Sequence, residues 1–381
     1  MFNRTKINLI NKWWFSIDRV ILFLIIVTLA IGNIFTALAS PVVANRIGIN
    51  PHLFIIKNLI FSFIGLSIVL LFSTLNEEQI INISYICFII LIFVLIIVLF
   101  VGTQNKGARR WIRIFGFSLQ PSEIIKPFFI ITVSNILSRF KRIENLHIIV
   151  SLILYTILAI LLVLQPDIGM LILISCVFFT SLFLVGIKLK YFIWLFIAFI
   201  ITFTLLYFTF PHFHYRINSF VNSAFLGGET NYQVKKSISA FSSGGLLGKG
   251  PFEGAIKNHI PDAHTDFIFS VIGEEFGSIA CIFIISIFFF ISFRLMLKTT
   301  KETDLFKYIS INCLSLIFVF QAIINIGVTL NLLPTKGMTL PLISYGGSSM
   351  IGTSITLGLL LALTKQNYGK HYNLRSLIIG L

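Results

Sequence analysis

The sequence predicts an all-α polytopic membrane protein, and three observations carry that reading. Of the 381 residues, 57% are hydrophobic and only 11% charged, against about 45–50% and about 25% in soluble domains. The mean hydropathy over the whole chain is +0.96, more apolar surface than a water-facing shell could enclose. The apolar residues also fall in runs of about 20, the length that crosses a hydrocarbon core.

Ten such runs occur, at 18–40, 52–75, 79–102, 121–138, 147–165, 168–187, 191–210, 265–293, 307–330 and 346–366. They predict about ten transmembrane helices in a single membrane domain, 1–381, with a large extracytoplasmic loop at 211–264 between the seventh and eighth. The fourth run is the most polar, because Glu123 and Lys126 lie in its first turns. Ahead of the first run, Lys6 to Trp14 is basic, contains Trp and has no small-residue cleavage site, which predicts a retained anchor. The four cysteines each lie in an apolar run without CxxC spacing, so neither a disulfide framework nor a zinc site is expected. The long loop is Gly-rich around Ser243 to Gly250 yet keeps aromatic and apolar residues, which predicts partial folding onto the membrane surface.

The 29 Lys and Arg against 14 Asp and Glu give a net charge of +15. In a membrane protein such a balance first means topology signals and anionic lipid, with no nucleic acid partner expected. If the N-terminus is cytoplasmic, an even number of spans returns the C-terminus to the same side. Sixteen basic residues then lie inside and eleven outside, as the positive-inside rule requires. Nine of those eleven crowd into the loop at 106–113 and the long loop, an excess that calls for a ligand.

Four polar clusters fall on that outer side. The first runs from Lys106, Arg109, Arg110 and Trp111 to Gln120-Pro121-Ser122-Glu123 and Lys126. Pro in a first turn and an acid near the positive dipole end predict a helix start. Arginines beside it fit a phosphate or pyrophosphate, and fit equally an interfacial helix holding surface lipid. Glu123 and Lys126, three apart at membrane depth, are either functional or paired with each other. The second cluster, Gln165-Pro166-Asp167-Ile168-Gly169, reads as a tight turn.

The third cluster runs from Gly248-Lys249-Gly250 through Lys257 to Pro261-Asp262-Ala263-His264-Thr265-Asp266. Asp266 is expected in the first turn of the eighth span, as a dipole partner or as a general base. Glu274 and Glu275 lie deeper and need a basic or polar partner, for which Lys57 is available by composition. In the fourth cluster, Leu333 to Ser349, Pro, Gly and hydroxyl residues alternate with apolar ones. That pattern predicts a re-entrant or broken-helix segment covered by protein or water, while the small residues at 346–349 would also serve close helix packing. No P-loop, HExxH, GxSxG or Rossmann fingerprint occurs, which argues against ATP-driven transport and conventional hydrolysis.

In this order and wording the four clusters resemble the SEDS family (shape, elongation, division and sporulation), the bacterial membrane enzymes typified by FtsW and RodA that polymerise peptidoglycan. The resemblance spans nearly the whole chain. Asn325-Ile326-Gly327-Val328 and Pro334-Thr335-Lys336-Gly337-Met338-Thr339-Leu340-Pro341 look more like the division member, FtsW, than the elongation member. The resemblance implies a ten-span fold in the bacterial inner membrane with both termini cytoplasmic. It also implies glycosyl transfer from lipid II, a disaccharide-pentapeptide on undecaprenyl pyrophosphate, with the Asp of His-Thr-Asp-Phe, here Asp266, as the essential acid. Asp262 stands where the family usually has Glu, and Met170 where it commonly has Thr, so neither the longer acid nor the hydroxyl is present at those positions.

Inverting transfer needs a base for the acceptor hydroxyl and positive charge for the departing pyrophosphate. Asp266 is the expected catalytic residue. Lys106, Arg109, Arg110, Gln120, Glu123, Lys126, Arg216, Lys249, Lys257, His264 and Ser348 are expected to bind substrate. A divalent cation, Mg or Mn, would bridge pyrophosphate oxygens, and no organic cofactor is expected. The implied partners are lipid II, a class B penicillin-binding protein transpeptidase and other membrane proteins of the divisome or elongasome. The rival readings are a lipid II flippase or other lipid transporter, which would not need Asp266 as a base, a RodA-type elongation polymerase, and a scaffold without activity.

Overall fold

A computed structural model describes residues 9–50, 52–105, 108–114, 117–139, 144–225 and 232–365. The chain opens with a short helix α1 (Leu9–Ser16), then α2 (Arg19–Ile47), α3 (His52–Thr74) and α4 (Glu77–Val101). A three-stranded antiparallel ribbon follows, β1 (Thr103–Asn105), β2 (Ala108–Ile114) and β3 (Phe117–Leu119), and leads into α5 (Pro121–Ser138). Next come α6 (Glu144–Leu164), α7 (Ile168–Val185), α8 (Leu189–Thr209), α9 (Pro211–Phe225) and α10 (Tyr232–Gly244). After a 3-10 turn (Ile256–His259) the chain ends with α11 (Ile268–Thr299), α12 (Leu305–Thr329) and α13 (Gly347–Leu363). The fold is all-α and polytopic. Among the described residues, eight helices, α2, α3, α4, α6, α7, α8, α11 and α12, are long and apolar enough to cross a membrane.

The two other helices of the bundle, α5 and α13, are set inside it. α5 packs against α4, α6, α7, α12 and α13, and its residues from Pro121 to Asn135 are almost all buried. An enclosed helix needs no uniformly apolar surface, which is how α5 accommodates Glu123, Lys126 and Pro127. α13 lies between α3 and α5, and α5 lies against α4. The α13–α5 pair therefore stands between α3 and α4.

The segment after Lys106 is not an interfacial helix. Ile112 and Arg113 of β2 pair with Leu119 and Ser118 of β3, and Trp111 and Arg109 with Thr103 and Gln104 of β1. A Trp- and Ile-rich stretch fits a pleated ribbon better than a helix.

At Gly277 α11 breaks, with φ 75° and ψ −177°, a backbone conformation that only glycine adopts readily. A break in a spanning helix strands backbone groups that water cannot reach, and the chain after α10 supplies the partners. Lys249 N and Gly250 N donate to the Glu274 and Glu275 carbonyls at 3.0 Å each, and Ser278 N donates to Gly245 O at 3.0 Å. Ile256 N and Lys257 N both donate to the Glu274 carboxylate at 2.7 Å. The Lys257 ammonium pairs with Glu275. The basic partner of Glu275 is thus Lys257 rather than the expected Lys57, and Glu274 takes backbone amides, because the loop folds back onto its own helix. At the other end of the bundle Asp18 caps α2 and holds Arg294 and Lys298 of α11, each at 2.8 Å.

A Cβ at Gly277 would lie 2.2 Å from the Leu246 carbonyl. Gly277→Ala is expected to cost about 3 kcal/mol or more, strain and collision together. Gly186→Ala, with φ +85° but nothing within 4 Å, should cost only about 1 kcal/mol. Thermal unfolding in detergent compares the two, and equal losses would contradict the packing of the loop on the break.

Candidate active site

The turn between α6 and α7 anchors the site. Asp167 is buried there and accepts hydrogen bonds from Gln120 Nε2 at 2.9 Å and Ser122 Oγ at 3.3 Å. Arg110 lies 3.7 Å from the Asp167 carboxylate and donates from Nε to Gln165 O at 2.9 Å and from Nη2 to the Pro166 carbonyl. A carboxylate with these partners fastens the ribbon and the start of α5 to the α6–α7 turn. Sequence reading took the segment for a plain turn. The signal it missed was an acid between two wholly apolar spans, where ionisable groups seldom lack a partner.

One layer deeper, Glu123 and Lys126 pair with each other at 2.5 Å. Lys126 Nζ also donates to Gln321 Oε1 of α12 at 2.8 Å, and Gln321 Nε2 donates to Ser349 Oγ at 3.0 Å. Thr339 Oγ1 completes the chain to Ser349 at 2.6 Å. The hydroxyl that joins α13 to this network is Ser349, with the expected Ser348 buried one position away.

Asp266 lies ahead of α11 rather than in its first turn. The chain from Pro261 to Phe267 is a series of turns around Asp262, whose φ is 56°, and α11 starts at Ile268. Asn325 Nδ2 donates to the Asp266 carbonyl at 2.9 Å and to the Met338 carbonyl at 2.5 Å. It thereby clips the start of α11 to the irregular segment between α12 and α13. The Asp266 residue is half-buried. A Cβ at Gly337 would lie 2.8 Å from Asp266 Oδ2, so glycine at 337 keeps the carboxylate clear.

Arg216 of α9 lies within electrostatic reach of this carboxylate. Burial and the neighbouring Arg110 hold its pKa below the usual guanidinium value, while Asp266 and Asp167 oppose them. Lys336 lies across Gly169, where a Cβ would come within 1.9 Å of its Cδ and Cε.

The structure therefore gathers Arg110, Gln120, Glu123, Lys126, Arg216 and Asp266, and adds Asp167, Gln321, Lys336 and Ser349, which sequence reasoning did not propose for the site. It leaves other expected residues apart. Arg109 reaches back toward the last carbonyls of α4, with Leu99 O at 3.4 Å. Lys249 is exposed and engages α11 through its backbone, and Lys257 is committed to Glu275. His264 is buried against Phe54 and Tyr345, with ring centroids 4.8 and 5.3 Å away. Burial pushes its pKa to about 4, so the imidazole is neutral at physiological pH. Lys106 lies outside the described residues. Among the described residues no three His, Cys, Asp or Glu side chains gather as a metal cage. A half-exposed carboxylate beside guanidinium groups can take a proton from a hydroxyl and sit next to a bound anion.

Comparison with known proteins bears on the family and the fold. Residues 18–369 match the FTSW_RODA_SPOVE family, described as Cell cycle protein. The chain is 35% identical over 372 residues to a probable peptidoglycan glycosyltransferase FtsW of Caulobacter vibrioides, covering 97% of this chain and 95% of that protein. It is 38% identical over 312 residues to the Buchnera aphidicola protein of the same name, covering 80% and 86%. Among solved structures, one of a peptidoglycan synthase complex that coordinates polymerization and crosslinking superimposes with a TM-score of 0.76 at 24% identity, covering 92% of this chain and 98% of that one. The rod shape determining protein RodA of Thermus thermophilus gives 0.69 at 24%, covering 92% and 97%, and both likenesses bear on the fold. With a family match across nearly its whole length and relatives above 30% identity, the chain belongs to the FtsW/RodA/SpoVE family.

Proposed function

We infer that this chain is a peptidoglycan glycosyltransferase of the FtsW type, which polymerises lipid II on the outer face of the bacterial inner membrane for septal synthesis. Both termini are then cytoplasmic, and the face carrying the β-ribbon is the outer one. The observation that carries the reading is Asp266, a half-buried residue whose carboxylate a side chain at Gly337 would crowd, within electrostatic reach of Arg216 in a cationic cluster.

In the proposed reaction Asp266 takes the proton of the acceptor hydroxyl as that oxygen attacks the anomeric carbon of the donor. The bond from that carbon to the pyrophosphate breaks, and the charge released on the phosphate oxygens meets Arg216 and the outer edge of Arg110. Asp167 keeps Arg110 in place, and the Glu123–Lys126–Gln321–Ser349 chain fixes the floor beneath. A Mg or Mn ion would have to be held largely by substrate oxygens and waters, a mode such ions favour, and the chemistry proposed here rests on side chains alone. A class B transpeptidase is the proposed partner.

Purified protein with its transpeptidase and lipid II should make glycan strands. Asp266→Asn should lower that rate by at least about 100-fold while leaving unfolding temperature and copurification of the partner unchanged. Undiminished polymerisation by the variant would sink the assignment. Gly337→Ala should slow polymerisation by about 10- to 100-fold by crowding the carboxylate, again without loss of stability. Full activity in that variant would mean that access to Oδ2 does not matter.

A further inference from the structure

Lys336 has no place in the steps above, yet it is the most unusual cation of the cluster. Part of its residue surface remains open, but its Nζ is buried and makes no hydrogen bond among the described residues. The groups around it come from every neighbouring element: Asp167 from the α6–α7 turn, Glu123 and Lys126 from α5, and Arg110 from β2. Asp266 adjoins the next residue, Gly337. The two carboxylates that attract Lys336 are already engaged, Asp167 by Arg110, Gln120 and Ser122 and Glu123 by Lys126. Gly169 yields the space that the stem of Lys336 crosses.

A buried ammonium without an acceptor is destabilising, and an ammonium is a compact charge that suits a phosphate oxygen. We propose that Lys336 Nζ is a ligand for the pyrophosphate of the lipid-linked donor, held without a partner until the donor supplies its oxygens. The proposal rests on the polymerase reading and adds a positioning residue to it. Burial, with Lys126 and Arg110 beside it, outweighs the nearby carboxylates and brings the Lys336 pKa down to about 8. The ammonium is therefore charged at neutral pH and loses its proton as the pH rises through about 8.

Thermal unfolding of the full chain in detergent, titrated with inorganic pyrophosphate between pH 6.5 and 9.5, tests this through the stabilisation that a ligand confers on the folded state. Lys336→Met should weaken pyrophosphate binding by about 10- to 100-fold, the loss of one charged hydrogen bond, and should melt no lower than wild type without ligand. Lys336→Arg keeps its charge throughout. The wild-type affinity should therefore fall relative to that of Lys336→Arg as the pH passes 8, the ionisation of pyrophosphate affecting both alike. Equal affinity in wild type and Lys336→Met, or a ratio of wild type to Lys336→Arg that is flat across the range, would overturn the proposal. So would protection by glycerol 3-phosphate as strong as that by pyrophosphate, which would assign the site to a membrane headgroup. A chain that polymerises lipid II but binds pyrophosphate independently of Lys336 refutes this inference alone. One that binds through Lys336 yet makes no strands with its partner refutes only the polymerase reading.

Discussion

A backbone amide or carbonyl left without a partner in hydrocarbon costs several kcal/mol, and the rest of this structure follows from that constraint. Wherever the chain departs from helix inside the bundle, another stretch of chain meets it. The break at Gly277 is met by residues 245–250. The irregular run before α13 is held by Asn325, by Gln321, by Thr36 on the Ile343 carbonyl and by the Tyr345 amide on His264 O. The α6–α7 turn is met by the guanidinium of Arg110. These segments support one another only where they lie together, and the polar side chains gather at their junction.

The apolar spans were legible in the sequence because lipid imposes their length and composition on each segment separately. Pro121 and the acid after it marked the start of α5 for an equally local reason. What stayed hidden depends on chain segments far apart in sequence. An acid between two apolar spans signals that Asp167 needs a partner, but that Arg110 is the partner shows only when β2 is laid across the turn. Lys57 and Lys257 were indistinguishable as partners for Glu275 until the loop was seen to fold back. The neutral state of His264 depends on Phe54 and Tyr345, 210 and 81 positions away in a chain whose numbering gives no hint of the contact. The ribbon was missed because an Arg-rich, Trp-containing stretch beside a membrane has the same composition whether helical or extended.

The excess of basic residues in the loops also has a more divided meaning than a single binding surface. Arg109 closes the end of α4, Arg46 holds the Asn258 carbonyl and Lys257 neutralises a buried acid. These charges are architectural. Those near Asp266 and Asp167 are Arg110, Arg216 and Lys336, which come from three separate elements, β2, α9 and the segment before α13. Removing one partner of a buried pair leaves an uncompensated charge, so the pairs of Lys126 with Glu123 and of Lys257 with Glu275 hold positions in the bundle.

The enclosure of α5 changes what that helix can tolerate. Almost surrounded by protein, it is judged by five neighbouring helices and hardly at all by lipid, so one substitution on it is felt by several elements together. The outward faces of α3 and α4 meet no such jury. Their side chains can drift with the composition of the bilayer, while those of α5 can change only in concert with their neighbours.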